Sequence, residues 1–155
     1  PCITMEFSAH ARARSRRLAM QALYQWDLSG MDLAEIQRQF AEAEGFDRAD
    51  RDYFVELLKS VPARHEAIDR DIAGYLDRPM EQVDPVERAI LRIATYELLY
   101  RIDVPYRVIL NEAITLTRKF GAEQGHAFVN GVLDKLAHKH RPDEYSRKSQ
   151  QVNGL

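Results

Sequence analysis

The sequence predicts an all-α protein of about seven helices, and three observations carry that expectation. Apolar residues recur at helical spacing along almost the whole chain. No stretch alternates at period two with β-branched residues and hairpin turns, as a strand would. Most prolines and glycines fall between the periodic segments, where they start or stop helices.

In the first helix Ala19, Ala22, Leu23 and Trp26 stand at i, i+3, i+4 and i+7, and Gly30 is its stop. A second, short helix runs from Leu33 to Glu44, carries Ile36 and Phe40, and ends at Gly45. A third begins near Asp50 with Phe54, Leu57, Leu58 and Val61 on one stripe. Pro62 marks a new start, because a first helical turn does not need the N–H that proline lacks. The helix behind it uses Ile68, Ile72, Tyr75 and Leu76 and stops before Pro79.

Asp84-Pro85-Val86-Glu87 is the clearest start signal in the chain. It supplies a capping acid, a proline at the first helical position and a glutamate three residues after the cap. The run VERAILRIATYELLYR behind it is apolar around much of its circumference, which predicts a central helix. Pro105 opens the next helix, with Ile109, Ala113, Leu116 and Phe120 at i, i+4, i+7 and i+11 and Gly121 closing it. The last strong helix holds Phe128, Val129, Val132, Leu133 and Leu136 and ends before Pro142. Gly131 within it is read as a site of close helix–helix approach, since glycine there costs ~1 kcal/mol relative to alanine. Asn111 and Asn130 are expected to hydrogen-bond each other across that contact.

At 155 residues the chain suffices for one compact domain. The expected organisation is a flexible N-terminal end over 1–10, one all-helical domain over 11–142 and a flexible tail over 143–155. PCIT ahead of Met5 is set aside. No apolar run approaches the ~18 residues that span a bilayer, and no secretory signal pattern appears, so a soluble, cytoplasmic protein is expected.

Formal net charge is −2, from 22 Lys plus Arg and 24 Asp plus Glu, which argues against a protein coated in positive charge. The charge is unevenly spread. No acid lies between Glu6 and Asp27, an interval holding Arg12, Arg14, Arg16 and Arg17. From Asp27 to Leu58 the balance reverses, and toward the C-terminus it turns basic again.

Readings as an enzyme or metal protein find no support. His65-Glu66 begins like a zincin motif, but position 69 is Asp, so HExxH fails. Asp47, Asp50 and Asp52 lack the glycine and the twelfth-position glutamate of a calcium loop. His126, His138 and His140 lack a spaced set of partner ligands, and no phosphate-loop, dinucleotide or nucleophile-elbow motif is present. A single cysteine, Cys2, forms no internal disulfide and is a poor candidate nucleophile near a chain end. No catalytic residue, metal or cofactor is expected.

The arginine segment is more informative. Arg12 and Arg16 are i, i+4 neighbours and Arg14 and Arg17 are i, i+3, so together they cover a broad helical sector. Arginine grips phosphate in fork geometry, and Tyr24, seven residues after Arg17, is placed to stack a base. The plain alternative is a solvated basic face paired with the acidic second and third helices. Glu87 likewise has two readings, as the reciprocal arm of the Asp84 cap or as an acceptor for a base edge or partner; the cap is favoured. Phe120 and Phe128 flank the loop Gly121-Ala122-Glu123-Gln124-Gly125-His126, and are either corner-closing core residues or anchors for a partner.

ARARSRRLAMQALYQWDLSG, DPVERAILRIATYELLYRIDVPYRVILNEAITLTRKFGAE and HAFVNGVLDKLA together resemble the NusB family of transcription antitermination factors. The resemblance runs from about Ala11 to Pro142. It implies an all-helical fold of two small packed bundles and no enzymatic activity. It implies binding of the boxA element of nascent ribosomal RNA, as single-stranded RNA, together with NusE, a small-subunit ribosomal protein. Other Nus factors and RNA polymerase complete the assembly that reads through terminators. Carried over by position, the RNA contacts are Arg12, Arg14, Arg16, Arg17, Tyr24 and Gln124. The partner-protein surface is Glu87, Leu91, Phe120, Glu123 and Phe128. Ala13 stands where relatives often carry another arginine, and Gln124 where some carry an acid. The competing reading is a helical protein-interaction module, a homodimer whose arginine-rich first helix serves self-association.

Overall fold

A computed structural model describes the backbone of residues 2–153 and the side chains of residues 9–147. The side chain of Cys2 lies outside the described residues, as do those of 1–8 and 148–155. Among the described residues there are eight α-helices, two single 3-10 turns and no strand. The chain divides into two compact units, one up to His65 and one from Glu66 onward.

The first unit comprises α1 (Cys2–Ser29), α2 (Leu33–Ala41), a 3-10 turn at Phe46–Arg48 and α3 (Arg51–Ala63). Gly30, in the left-handed region at φ 68°, stops α1 where the sequence predicts. One face of α1 is built from small and apolar residues, Ala11, Ser15, Leu18, Ala19 and Ala22, all buried. Small side chains let α3 come close, and the seam is stitched by polar groups. The Asp50 N–H donates to Ala11 O at 3.2 Å, and the Ser15 hydroxyl lies 2.6 Å from the Asp50 carbonyl. The Asp50 carboxylate then accepts from the Tyr53 N–H at 3.1 Å, capping α3. Phe54 is the hub of this core, with the rings of Phe40 and Phe46 at 5.9 and 5.3 Å.

Pro62 falls inside the last turn of α3 rather than opening the next helix. Its missing N–H forfeits one hydrogen bond near a helix end, a position where the helix tolerates that loss. The following helix, α4 (His65–Ala73), starts at His65 instead, whose ring nitrogen Nδ1 sits 2.8 Å from Pro62 O.

In the second unit α5 (Pro85–Tyr100) is the central helix, buried along Ala89 to Leu98. Asp84 caps it, accepting from the N–H groups of Val86 and Glu87 at 2.9 and 3.2 Å, with Pro85 in the first turn. Burial includes Arg92, whose guanidinium makes a two-pronged ion pair with Asp69 at 2.9 and 2.8 Å. Packed on α5 are α6 (Tyr106–Phe120) and α7 (Gly125–His140). Gly131 faces solvent, and a methyl group there would touch nothing within 4 Å, so close approach is not its reason. Asn111 and Asn130 are both exposed, not joined across a contact.

Where the sequence reading places a tail from 143, the backbone forms α8 (Pro142–Asn153). Its start is held by polar contacts that span 37 to 44 residues of sequence. Buried Arg141 donates to the carbonyls of Leu98, Glu97, Arg101 and Val104 at 2.9–3.2 Å, and to Glu144 at 2.8 Å. One side chain thereby reaches the Leu98 carbonyl near the end of α5 and the Val104 carbonyl beyond it, and adds a second donor to the Glu97 and Arg101 carbonyls, which also accept from the Arg101 and Val104 N–H groups. Glu144 in turn accepts from the Tyr106 N–H at 2.8 Å, capping α6. The Tyr145 hydroxyl donates to Asp134 at 3.1 Å, and that bond holds the phenol proton above the ordinary tyrosine range.

Candidate nucleic-acid interface

A helix of 3.6 residues per turn sends the four arginines of α1 to two different places. Arg12 and Arg16 turn toward α3. The Arg12 guanidinium lies 4.7 Å from the Tyr53 ring centre and 3.8 Å from the Asp50 carboxylate. Arg16, only 3 % exposed, has its guanidinium 5.4 Å from the centre of the same ring. These are cation–π seats that fix α1 on α3. As a direct RNA contact Arg16 is therefore out of reach, and Arg12 is partly neutralised by Asp50. Asp50, the acid that caps α3, thus pairs with the basic helix along this edge.

Arg14 and Arg17 point the other way, and neither has an acidic partner among the described residues. The Arg14 guanidinium rests on Gly45, where a methyl group would stand 2.6 Å from its Nη1. Gly45 has φ 84°, so glycine serves both the turn and this seat. The outward strip continues beyond the arginines. His10, Arg14, Arg17, Gln21, Tyr24 and Leu28 are all at least partly exposed and fall at i, i+4, i+7, i+11, i+14 and i+18. They form one line about 27 Å long, at ~1.5 Å rise per residue. Tyr24 is 38 % exposed, ring available for stacking. His10, Gln21 and Leu28 were not singled out from sequence; alternating steps of four and three from Arg14 would have found them.

The remaining candidates belong to the second unit. Leu91 is fully buried within α5 and offers no surface to a partner. Glu87 is 5 % exposed, and its carboxylate accepts from the Ala122 N–H at 3.1 Å. It thus engages the α6–α7 loop rather than solvent, and neither sequence reading of Glu87 contains this contact. Around it stand Phe120, 39 % exposed, and the exposed Glu123 and Gln124. Gln124 adopts φ 70°, an uncommon backbone for a residue with a side chain. Phe128 is half-buried, its ring covered by the Arg78 guanidinium at 4.6 Å.

No group of three or more His, Cys, Asp or Glu suited to a metal occurs among the described residues. Nor is any described helix long and apolar enough to cross a membrane.

The described chain is all-helical, and the partly exposed strip on its first helix carries Arg14 and Arg17 toward one end and Tyr24 toward the other. The chain belongs to the NusB family, whose model matches residues 13–138. It is 51 % identical over 130 residues to a transcription antitermination protein NusB of Shewanella halifaxensis, covering 84 % of this chain and 96 % of the relative. With the same-named protein of Paraburkholderia phymatum identity is 52 % over 134 residues, 86 % and 92 % of the two chains. Among solved structures, NusB of T. maritima superposes with a TM-score of 0.76 at 30 % identity, over 88 % of this chain and 96 % of that one. A chain from a crystal structure of antitermination factors NusB and NusE in complex with dsRNA gives 0.75 at 27 % identity, over 82 % and 96 %.

Proposed function

We propose that this chain is a transcription antitermination factor that binds boxA-type RNA jointly with NusE. In that role it works with other Nus factors and RNA polymerase on nascent transcripts, in the cytoplasm, as a binding protein and not an enzyme. The observation that carries the reading is the strip on α1, where Arg14 and Arg17 stand outward with no acidic partner among the described residues and lead to Tyr24. Arginines of this kind hold phosphates, and an exposed tyrosine takes a base face, a pairing suited to single-stranded RNA. Membership of the NusB family and likeness to a NusB in complex with NusE and dsRNA support it.

In this assignment Arg14, Arg17 and Tyr24 contact RNA directly, and Gln21 lies within the same line. Arg12 and Arg16 set the orientation of α1 through Tyr53. Phe120, Glu123, Gln124 and Phe128 form the surface offered to NusE and adjoining RNA. Substituting Arg14 and Arg17 together by alanine, then titrating a boxA-type oligonucleotide with and without NusE, tests the assignment. Unchanged affinity in both titrations would reject it.

Self-association through α1 draws on a different observation, the exposure of Leu28 (54 %) one turn beyond Tyr24. Under that reading the solution mass corresponds to two chains and falls to one in Leu28→Glu, with RNA affinity rising as the strip is uncovered.

A further inference from the structure

The α6–α7 loop is wrapped around a buried carboxylate. Glu87 stands in the first turn of α5, three residues after the Asp84 cap, and accepts from the Ala122 N–H at 3.1 Å. A glycine at 125 makes the fit possible. At Gly125 an added methyl would lie 2.8 Å from Glu87 Oε2 and 2.9 Å from its Cδ. At Gly121 the constraint comes from the end of α6 instead: an added methyl would lie 2.8 Å from the Thr117 carbonyl and 2.9 Å from Thr117 Cγ2, with Glu87 Cγ in ordinary contact at 3.5 Å. The loop closes on itself through the Gly125 N–H, which donates to Ala122 O at 2.9 Å. Between the glycines stand Glu123 and Gln124, the latter held at φ 70°. Gly125 also begins α7, so the carboxylate lies beside the positive ends of two helices, its own and α7.

We propose that Glu87 is a positioning residue, which fixes the α6–α7 loop from beneath so that Glu123 and Gln124, and not Glu87 itself, meet the partner surface. The inference rests on the reading of this loop as part of the NusE and RNA surface. Burial of Glu87 at 5 % exposure leaves no face for direct contact, while the residues it holds are exposed. Gln124 pays the conformational penalty of a left-handed backbone for a side chain, and a loop so shaped needs its anchor.

Three full-length variants separate positioning from contact: Glu87→Gln, Glu87→Ala and Gly125→Ala. Hydrogen exchange at the Ala122 amide reads the loop without any partner, and titration with purified NusE and a boxA-type RNA reads binding. Glu87→Gln keeps an oxygen to accept the Ala122 N–H, so exchange and affinity are expected to change by no more than a few fold. Glu87→Ala removes the acceptor, and Ala122 exchange is expected to rise about tenfold or more, with a parallel loss of affinity. Gly125→Ala displaces the carboxylate with Glu87 still present and is expected to give the same two effects. The helical circular-dichroism signal and cooperative melting of each variant confirm that it folds.

Loss of affinity in Glu87→Ala with Ala122 exchange unchanged would make Glu87 a direct contact and overturn the proposal. A loosened loop with affinity unchanged would overturn it equally, because the positioning would serve nothing. If the unaltered protein bound neither NusE nor RNA, the reading of the surface would fail instead, and the exchange data would still report on the clamp.

Discussion

Arg16 and Arg17 are neighbours in sequence and opposites in role. The first is buried beside the Tyr53 ring; the second is partly exposed, without an acidic partner among the described residues. Arg17→Ala is therefore expected to lower the slope of log affinity against log salt by ~0.7, one lost phosphate contact on single-stranded RNA, with thermal stability unchanged. Arg16→Ala is expected to lower stability by about 2 kcal/mol, through lost packing of its stem and lost cation–π contact, with the slope little altered. Thermal melts and salt titrations of the two variants should move in opposite columns; Arg16→Ala behaving like Arg17→Ala would contradict the division. Sequence showed the arginine sector plainly and could not divide it. Spacing tells which residues share a side of α1, but Asp50 and Tyr53, which claim one side, lie more than thirty residues away. Glu87 was hidden for the same reason, since its partner Ala122 is 35 residues distant.

At the scale of elements, helix starts and stops with local chemistry were legible and those anchored from afar were not. Gly30 stopping α1 and Asp84-Pro85 starting α5 are both readable within four residues. By contrast α8 has a polar sequence, and its anchor is Arg141 inserted among four carbonyls of other segments. Arg141→Ala should remove the donor from the Leu98 and Val104 carbonyls, strand the Glu144 carboxylate and lower stability by about 3 kcal/mol, measured by denaturant unfolding. A loss below about 1 kcal/mol would mean that water substitutes freely. Gly131 gives the reverse test. It is exposed within α7 with room for a methyl, so Gly131→Ala should stabilise by ~1 kcal/mol and raise the melting midpoint by about 2–4 °C. A fall in the midpoint would show that the glycine has a contact partner after all.

For the molecule as a whole, the formal charge of −2 conceals a basic interval on α1 and an acidic stretch that follows it. The Arg12–Asp50 pair cancels part of one against part of the other inside the first unit. What remains outward on α1 is a narrow strip, two arginines with an aromatic end, sufficient for a few phosphates and a base. Such a strip suits a factor whose RNA is held jointly with a second protein. The measurement that tests this most directly is the salt dependence of boxA-type RNA binding, with and without NusE, for the unaltered chain and for Arg14→Ala plus Arg17→Ala. The expected result is a slope reduced by ~1.4 in the double variant, weaker binding in both series and an unchanged melting midpoint. Equal slopes and equal affinities for the two proteins would contradict the assignment of α1 as the RNA-binding helix.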